Sequence, residues 1–178
     1  KKNKTNPILS TKIPKLTTYK NKSIGIIFDE ILKELNVKKL KNLLLHNPQD
    51  WNNKKIKKYI ENIIQDNIIS RFGLSIYDIE DIPKDDIVKI IQIPGNIFNQ
   101  KILLSEEINE FISNGGKIQI RSVLIQGLLT MPPLLIPLKT QKTKEGISYF
   151  QNIAKELAIN KVHLAILCMN YLLPEAEI

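Results

Sequence analysis

The sequence predicts a helix-rich α+β fold: an N-terminal helical part, then a part in which helices flank a small central sheet. Three observations predict it. Apolar residues recur at helical spacing through residues 24–72. The longest apolar run, residues 117–138, opens with the period-two alternation of a half-buried strand. Helical patterns stand on both sides of that run. The 178 residues suffice for a real hydrophobic core. They divide into a basic arm over 1–22, a helical subdomain over 23–73 and an α+β part over 74–178.

Residues 1–22 are rich in Lys, Asn and Thr, and Pro7 and Pro14 discourage a helix, so this arm reads as extended or disordered. Ser23 is an expected N-cap for a helix carrying Ile24, Ile27, Phe28, Ile31 and Leu35 on one face, stopped at Asn36. A second short helix is expected from Val37 to His46, with Leu40, Leu43 and Leu44 inward. The segment Asn47-Pro48-Gln49-Asp50 combines a cap, a first-turn proline and an acid, which predicts a third helix running to Phe72 with Gly73 at its C-terminal stop.

Residues 74–86 read as an acidic, irregular segment broken by Pro83, and residues 87–93 as strand-like. Ser105-Glu106-Glu107 opens a helix that Gly115 ends. Residues 117–121 alternate as a strand, Val123-Leu124-Ile125 extends it as a run covered on both faces, and Leu134-Leu135-Ile136 is a second short strand. A helix is expected over 145–158. Residues 162–173 are apolar nearly all round, which suits a buried helix or a buried strand. The central run carries Arg121, Gln119, Gln126 and three prolines, so no membrane span is expected.

Composition directs the functional reading. The chain has 32 Ile but 4 Val, and 24 Lys but 2 Arg, the skew that an A/T-rich coding sequence imposes. Residues 1–58 hold 15 Lys against 4 acids, a balance of +11, whereas residues 59–178 carry −3. Lys38, Lys39, Lys41, Lys54, Lys55, Lys57 and Lys58 form the densest basic group, with Trp51 and Tyr59 nearby to stack on bases. The expected function is therefore a non-catalytic component of a nucleoprotein assembly, its lysine-rich arm and helix on RNA or DNA phosphates. The alternative is a protein–protein interaction or scaffold domain, with protein partners expected in either case. A domain of a larger enzyme is a third reading, since the opening KKNKT lacks an initiator Met and suggests a fragment or processed chain. An intracellular or organellar setting is favoured.

The remaining constellations exclude more than they propose. Asp78, Glu80, Asp81, Asp85 and Asp86 do not match the EF-hand spacing, and Pro83 splits them. His163 and Cys168 are five apart, which turns them about 140° from each other on a helix. His46 stands alone in sequence. Asn114-Gly115-Gly116-Lys117 lacks the phosphate-loop frame and leads into a strand. The sequence thus predicts no catalytic motif, no metal and no cofactor, and leans against an enzyme.

Overall fold

A computed structural model of the chain describes residues 9–19, 22–137 and 141–178. Five strands, β1 (Ser10–Ile13), β2 (Leu40–Leu45), β3 (Ile69–Ser75), β4 (Val88–Pro94) and β5 (Lys117–Arg121), lie in one sheet in chain order. The ladders joining β1 through β4 are all parallel. A parallel pair needs a long crossover. Here α1 (Ile24–Glu34) and α2 (Lys54–Gln65) provide the first two. A segment of about a dozen residues containing the 3-10 turn Ile79–Asp81 links β3 to β4. Helix α3 (Glu106–Ser113) precedes β5, and α4 (Gln141–Glu156) and α5 (Lys161–Leu172) follow it. The chain forms two compact units, residues 1–92 with 111–117, and residues 93–110 with 118–178.

The fold is therefore α/β with a parallel sheet, and the expected α+β arrangement with an N-terminal helical part is corrected. The difference lies in three stretches. Leu40–Leu45 is strand, although its leucines matched a helical face, because a strand covered on both sides carries apolar residues consecutively. The third helix splits into the 3-10 turn Pro48–Asn52, helix α2 and strand β3. Asn47 makes no capping bond; Asn53 caps α2 by accepting from the Lys55 N–H at 2.9 Å. Ser10–Ile13, inside the segment read as an arm, is a strand, while residues 1–8, 20 and 21 of that segment lie outside the described residues. Ser23 caps α1 as expected, accepting from the Ile26 N–H.

In the first unit, register partners Leu43 and Phe72, Leu45 and Leu74, and Leu74 and Ile91 share one face of the sheet, and all are buried. Ile27 and Phe28 of α1 and Ile56, Ile60 and Ile63 of α2 bring the apolar stripes that such a face requires. The Phe28 ring meets Tyr59 edge-on at 6.3 Å, and burial, with the Asp29 charge second, pushes the Tyr59 phenol up to about 12. Four lysines crowd the first turns of α2, where cations oppose the helix dipole. The helix is held instead by its buried isoleucines and by a tie from Lys57.

That tie centres on Asp85. Its carboxylate accepts from Lys57 Nζ at 2.9 Å, from the Trp51 indole at 3.2 Å and from the Ile87 N–H at 3.1 Å. Lys57 also lies 4.9 Å over the Trp51 ring, which packs on Phe72 at 4.6 Å. Burial alone would raise the Asp85 carboxyl. The bonds from Lys57 and Ile87, the Lys57 charge and the indole outweigh it and hold the group below its ordinary value.

Gly73 is not a helix stop but a mid-strand residue at a register shift between β3 and β4. A Cβ there would stand 2.0 Å from the Ile90 carbonyl oxygen, so only glycine allows the two backbones to approach so closely.

In the second unit, β5 is as expected, but the strand does not continue. Ser122, Ile125 and Gln126 take positive φ, as does Gly127, and this left-handed backbone breaks any ladder. The expected strand at 134–136 is a 3-10 turn, Pro133–Leu135. The buried Gln151 amide of α4 donates to the Leu129 and Met131 carbonyls at 2.9 and 2.8 Å, and accepts from Lys161 Nζ at 3.0 Å. One side chain thus joins the loop after β5 to α4 and α5. Of the two elements that residues 162–173 suit, the structure forms the helix, α5, which ends at Leu172.

Two measurements check this account. Gly73→Ala is expected to cost about 2–3 kcal/mol in chemical denaturation, the penalty of forcing a methyl into a packed site. Asp85 is depressed in the folded state, so its contribution is present above its unfolded pKa, near 4, and is lost as pH falls through the folded value. Asp85→Asn is therefore expected to lower stability at neutral pH by up to about 1 kcal/mol, since the pair is part-exposed, and the difference from the parent protein is expected to vanish in acid.

Candidate functional site

Register in a parallel sheet decides which residues share a face. Ser10, Asn42 and Arg71 stand in one row; Lys12, Leu44, Gly73 and Ile90 in the next; Ser75 and Gln92 in the row beyond. Successive residues of a strand alternate between faces. All nine therefore lie on the face opposite Leu43, Leu45, Phe72 and Leu74. The first side of the sheet is mainly apolar, with Thr11 beside Leu43, and the other carries Ser, Asn, Arg, Lys and Gln.

The polar face is also the concave one. Lys12 Nζ donates to Gln92 Oε1 at 2.7 Å, from β1 to β4. Three strand spacings separate those strands, about 14 Å in a flat sheet, and side chains stand roughly perpendicular to a sheet. The bond forms because the sheet curls toward this face and brings the two groups together.

Both residues sit toward the C-terminal ends of their strands, the end at which open parallel sheets place their ligands. His46 is the first residue past β2. Its N–H donates to the Ile13 carbonyl at 2.9 Å, which continues the β1–β2 ladder by one bond. Its side chain is exposed, with the ring 6.4 Å from that of Tyr77 beyond the end of β3. Ser75, the last residue of β3, is fully buried, and its hydroxyl has no hydrogen-bond partner. A buried hydroxyl without a partner is costly, and a polar ligand would relieve it. Asn42, in the row nearer the N-terminal ends, donates to Ser10 Oγ at 2.8 Å.

The expected basic site does not form one ridge. Lys38 and Lys39 are exposed just before β2, and Lys41 lies within it. Lys54, Lys55 and Lys58 are exposed in α2, beyond the other end of the strand, while Lys57 is engaged by Asp85. A six-residue strand of about 20 Å separates the two groups. Trp51 is buried and is no platform for a base.

Among the described residues, no three His, Cys, Asp or Glu side chains cluster to hold a metal ion, and no helix is long and apolar enough to cross a membrane. Cys168 is a free thiol in α5. It lines a groove of about 860 Å³ in the second unit with Phe98, Tyr149, Phe150, Leu167 and Tyr171. That groove is almost wholly apolar and offers no convergent polar groups for chemistry.

Lys12, Ser75 and Gln92 were not legible as site residues. Lys12 falls in the stretch read as an arm, and Ser75 and Gln92 carry no motif. In sequence His46 stands alone. One usable signal is present: the apolar run Leu43-Leu44-Leu45 gives way to His46-Asn47-Pro48, the pattern of a buried strand emerging at a rim.

Comparison with known proteins places this geometry. The profile of the aldo/keto reductase family matches residues 1–177. No curated protein matches the chain. Among solved structures, an aldo-keto reductase from a Medee basin deep-sea metagenome library superposes with a TM-score of 0.62 at 14% identity, over 89% of this chain and 55% of that one. An aldo-keto reductase from Klebsiella pneumoniae in complex with NADPH gives 0.62 at 16% identity, over 90% and 53%. The thermostable aldo-keto reductase Tm1743, in complex with the inhibitor epalrestat, gives 0.61 at 18% identity, over 96% and 58%. The chain spans a little over half the length of these relatives.

The parallel sheet with alternating helices is thus part of a barrel-like fold. The reading as a non-catalytic, nucleic-acid-binding component is overturned, and with it the lean against an enzyme. Both rested on lysine density, which reflects composition, and on the lack of a contiguous motif, which a site gathered from strand ends does not need. A match along nearly the entire chain, on a parallel α/β sheet with polar residues at its strand ends, has one consequence: the chain belongs to the aldo/keto reductase family.

Proposed function

We propose that the concave face of this chain forms part of the site of an NAD(P)H-dependent oxidoreductase acting on aldehyde or ketone carbonyls. The observation that carries the proposal is the Lys12–Gln92 hydrogen bond, which gathers cationic and amide side chains at the C-terminal ends of parallel strands. The family supplies the reaction class.

The residues suit a nicotinamide cofactor, on an observation independent of the family. Ser75 and Gln92 are register partners, and the buried Ser75 hydroxyl lacks a partner. A hydroxyl and a side-chain amide side by side can both donate to and accept from a primary amide such as the nicotinamide carboxamide. Ser75 and Gln92 are thus the residues that would hold it. The cofactor, when bound, supplies the hydride that reduces the carbonyl carbon.

The reduced oxygen must then gain a proton. The Lys12 ammonium of β1 and the exposed His46 imidazole, just past the end of β2, stand at the rim where a carbonyl would enter. Lys12 carries three N–H donors, one of them engaged by Gln92 Oε1, which sets the direction of the ammonium. A fixed cation beside the carbonyl oxygen favours the developing negative charge, and a general acid at the same place completes the alcohol.

In NADPH-dependent reduction of an aryl aldehyde by the purified protein, Lys12→Met is expected to lower kcat by about a hundredfold. The Kd for NADPH, read by fluorescence, is expected to stay within about threefold. Unchanged kcat would remove Lys12 from the chemistry. Absence of both NADPH binding and turnover in the parent protein would remove the proposal.

A further inference from the structure

We infer that Asp50 is a positioning residue that holds His46 in register with Lys12. The inference rests on the reading that these two side chains act together at one rim. The ladder bond from the His46 N–H to Ile13 is the last tie between the strand ends. Beyond it the chain leaves the sheet in the turn Pro48–Asn52, where nothing in the ladder directs the His46 side chain.

The Asp50 carboxylate is what comes next. Oδ2 accepts from the Leu16 N–H at 3.0 Å, and Oδ1 accepts from Asn47 Nδ2 at 3.1 Å. Leu16 lies four residues past Lys12, and Asn47 is the neighbour of His46. One carboxylate therefore clamps the segment following β1 to the segment following β2. Charged acceptors make the stronger class of hydrogen bond, and both oxygens are used.

The rest of the turn is anchored separately. Trp51 is buried on Phe72, and its indole donates to Asp85. Loss of the Asp50 carboxylate therefore frees the side of the turn that carries His46 and leaves the Trp51 side in place. This separation distinguishes a positioning role from general support of the fold.

The test uses a fact of composition: the chain has only two histidines, His46 and His163. His163 lies in α5, in the second unit, and serves as an internal reference. The imidazole carbon–proton NMR signals would be recorded for the parent protein, Asp50→Ala, Asp50→Asn and, as an exposed-charge control, Lys22→Ala. Asp50→Ala is expected to broaden or split the His46 signal and leave His163 unmoved. Asp50→Asn, which keeps one acceptor oxygen, is expected to restore much of the single sharp signal, and Lys22→Ala to change neither. In the turnover assay, Asp50→Ala is expected to lower kcat about tenfold or more with little change in the KM for NADPH. An unchanged His46 signal in Asp50→Ala, or joint movement of both histidines, would overturn the inference. If the parent protein shows no NADPH-dependent turnover, the reductase reading fails on that ground, and the His46 signal still decides whether Asp50 holds the rim.

Discussion

Parallel pairing of β1 through β4 is the constraint from which the rest of the first unit follows. Parallel neighbours cannot be joined by a tight turn, so each return needs a long connection, and α1 and α2 are the first two. Those helices bring apolar stripes, so one sheet face becomes a continuous layer of Leu, Phe and Ile. The same pairing aligns the strands in direction, and all C-terminal ends therefore open on one rim. The Lys12–Gln92 bond spans that arrangement and can form only because the sheet is curled. Gly73 makes the curl compatible with a close β3–β4 approach, since any side chain there would meet the Ile90 backbone.

Chemistry is placed by the same rule. Residues 12, 75 and 92 are far apart in sequence, yet the register of three ladders puts them on one face within two rows, and His46 follows directly on the end of β2. None belongs to a contiguous motif. The functional content of such a fold lies in what stands at the ends of strands, and the Asp50 clamp shows how the loops beyond those ends are themselves tied.

Parts of this were legible in the sequence. The Ser23 cap, the strand-like run ending near Pro94, the alternation of Lys117–Arg121 and the helix opened by Glu106 all carry local signals that the structure follows. What failed was non-local. Leu43, Leu44 and Leu45 are consecutive because both faces of β2 are covered, and consecutive leucines beside lysines also satisfy a helical pattern. The polar residues Asn47 and Asp50 serve a loop: Asn47 makes no cap but donates to Asp50, and Asp50 bonds to Leu16, 34 residues away. The proposed site residues carry no local signal because parallel register assembles them, whereas the lysines stand out because they are numerous. Lys57 is the instructive case, since its partner is Asp85 of the same unit rather than a phosphate.

The central proposal is that the C-terminal rim of this sheet is a nicotinamide-cofactor site. Backbone and side-chain NMR shift mapping during titration with NADPH tests it most directly. The account predicts the largest perturbations at Ser75, Gln92, Lys12 and His46, with Lys54, Lys55 and Lys58 little changed. Perturbations confined to those α2 lysines and abolished by moderate salt, or none at the four rim residues, would contradict it.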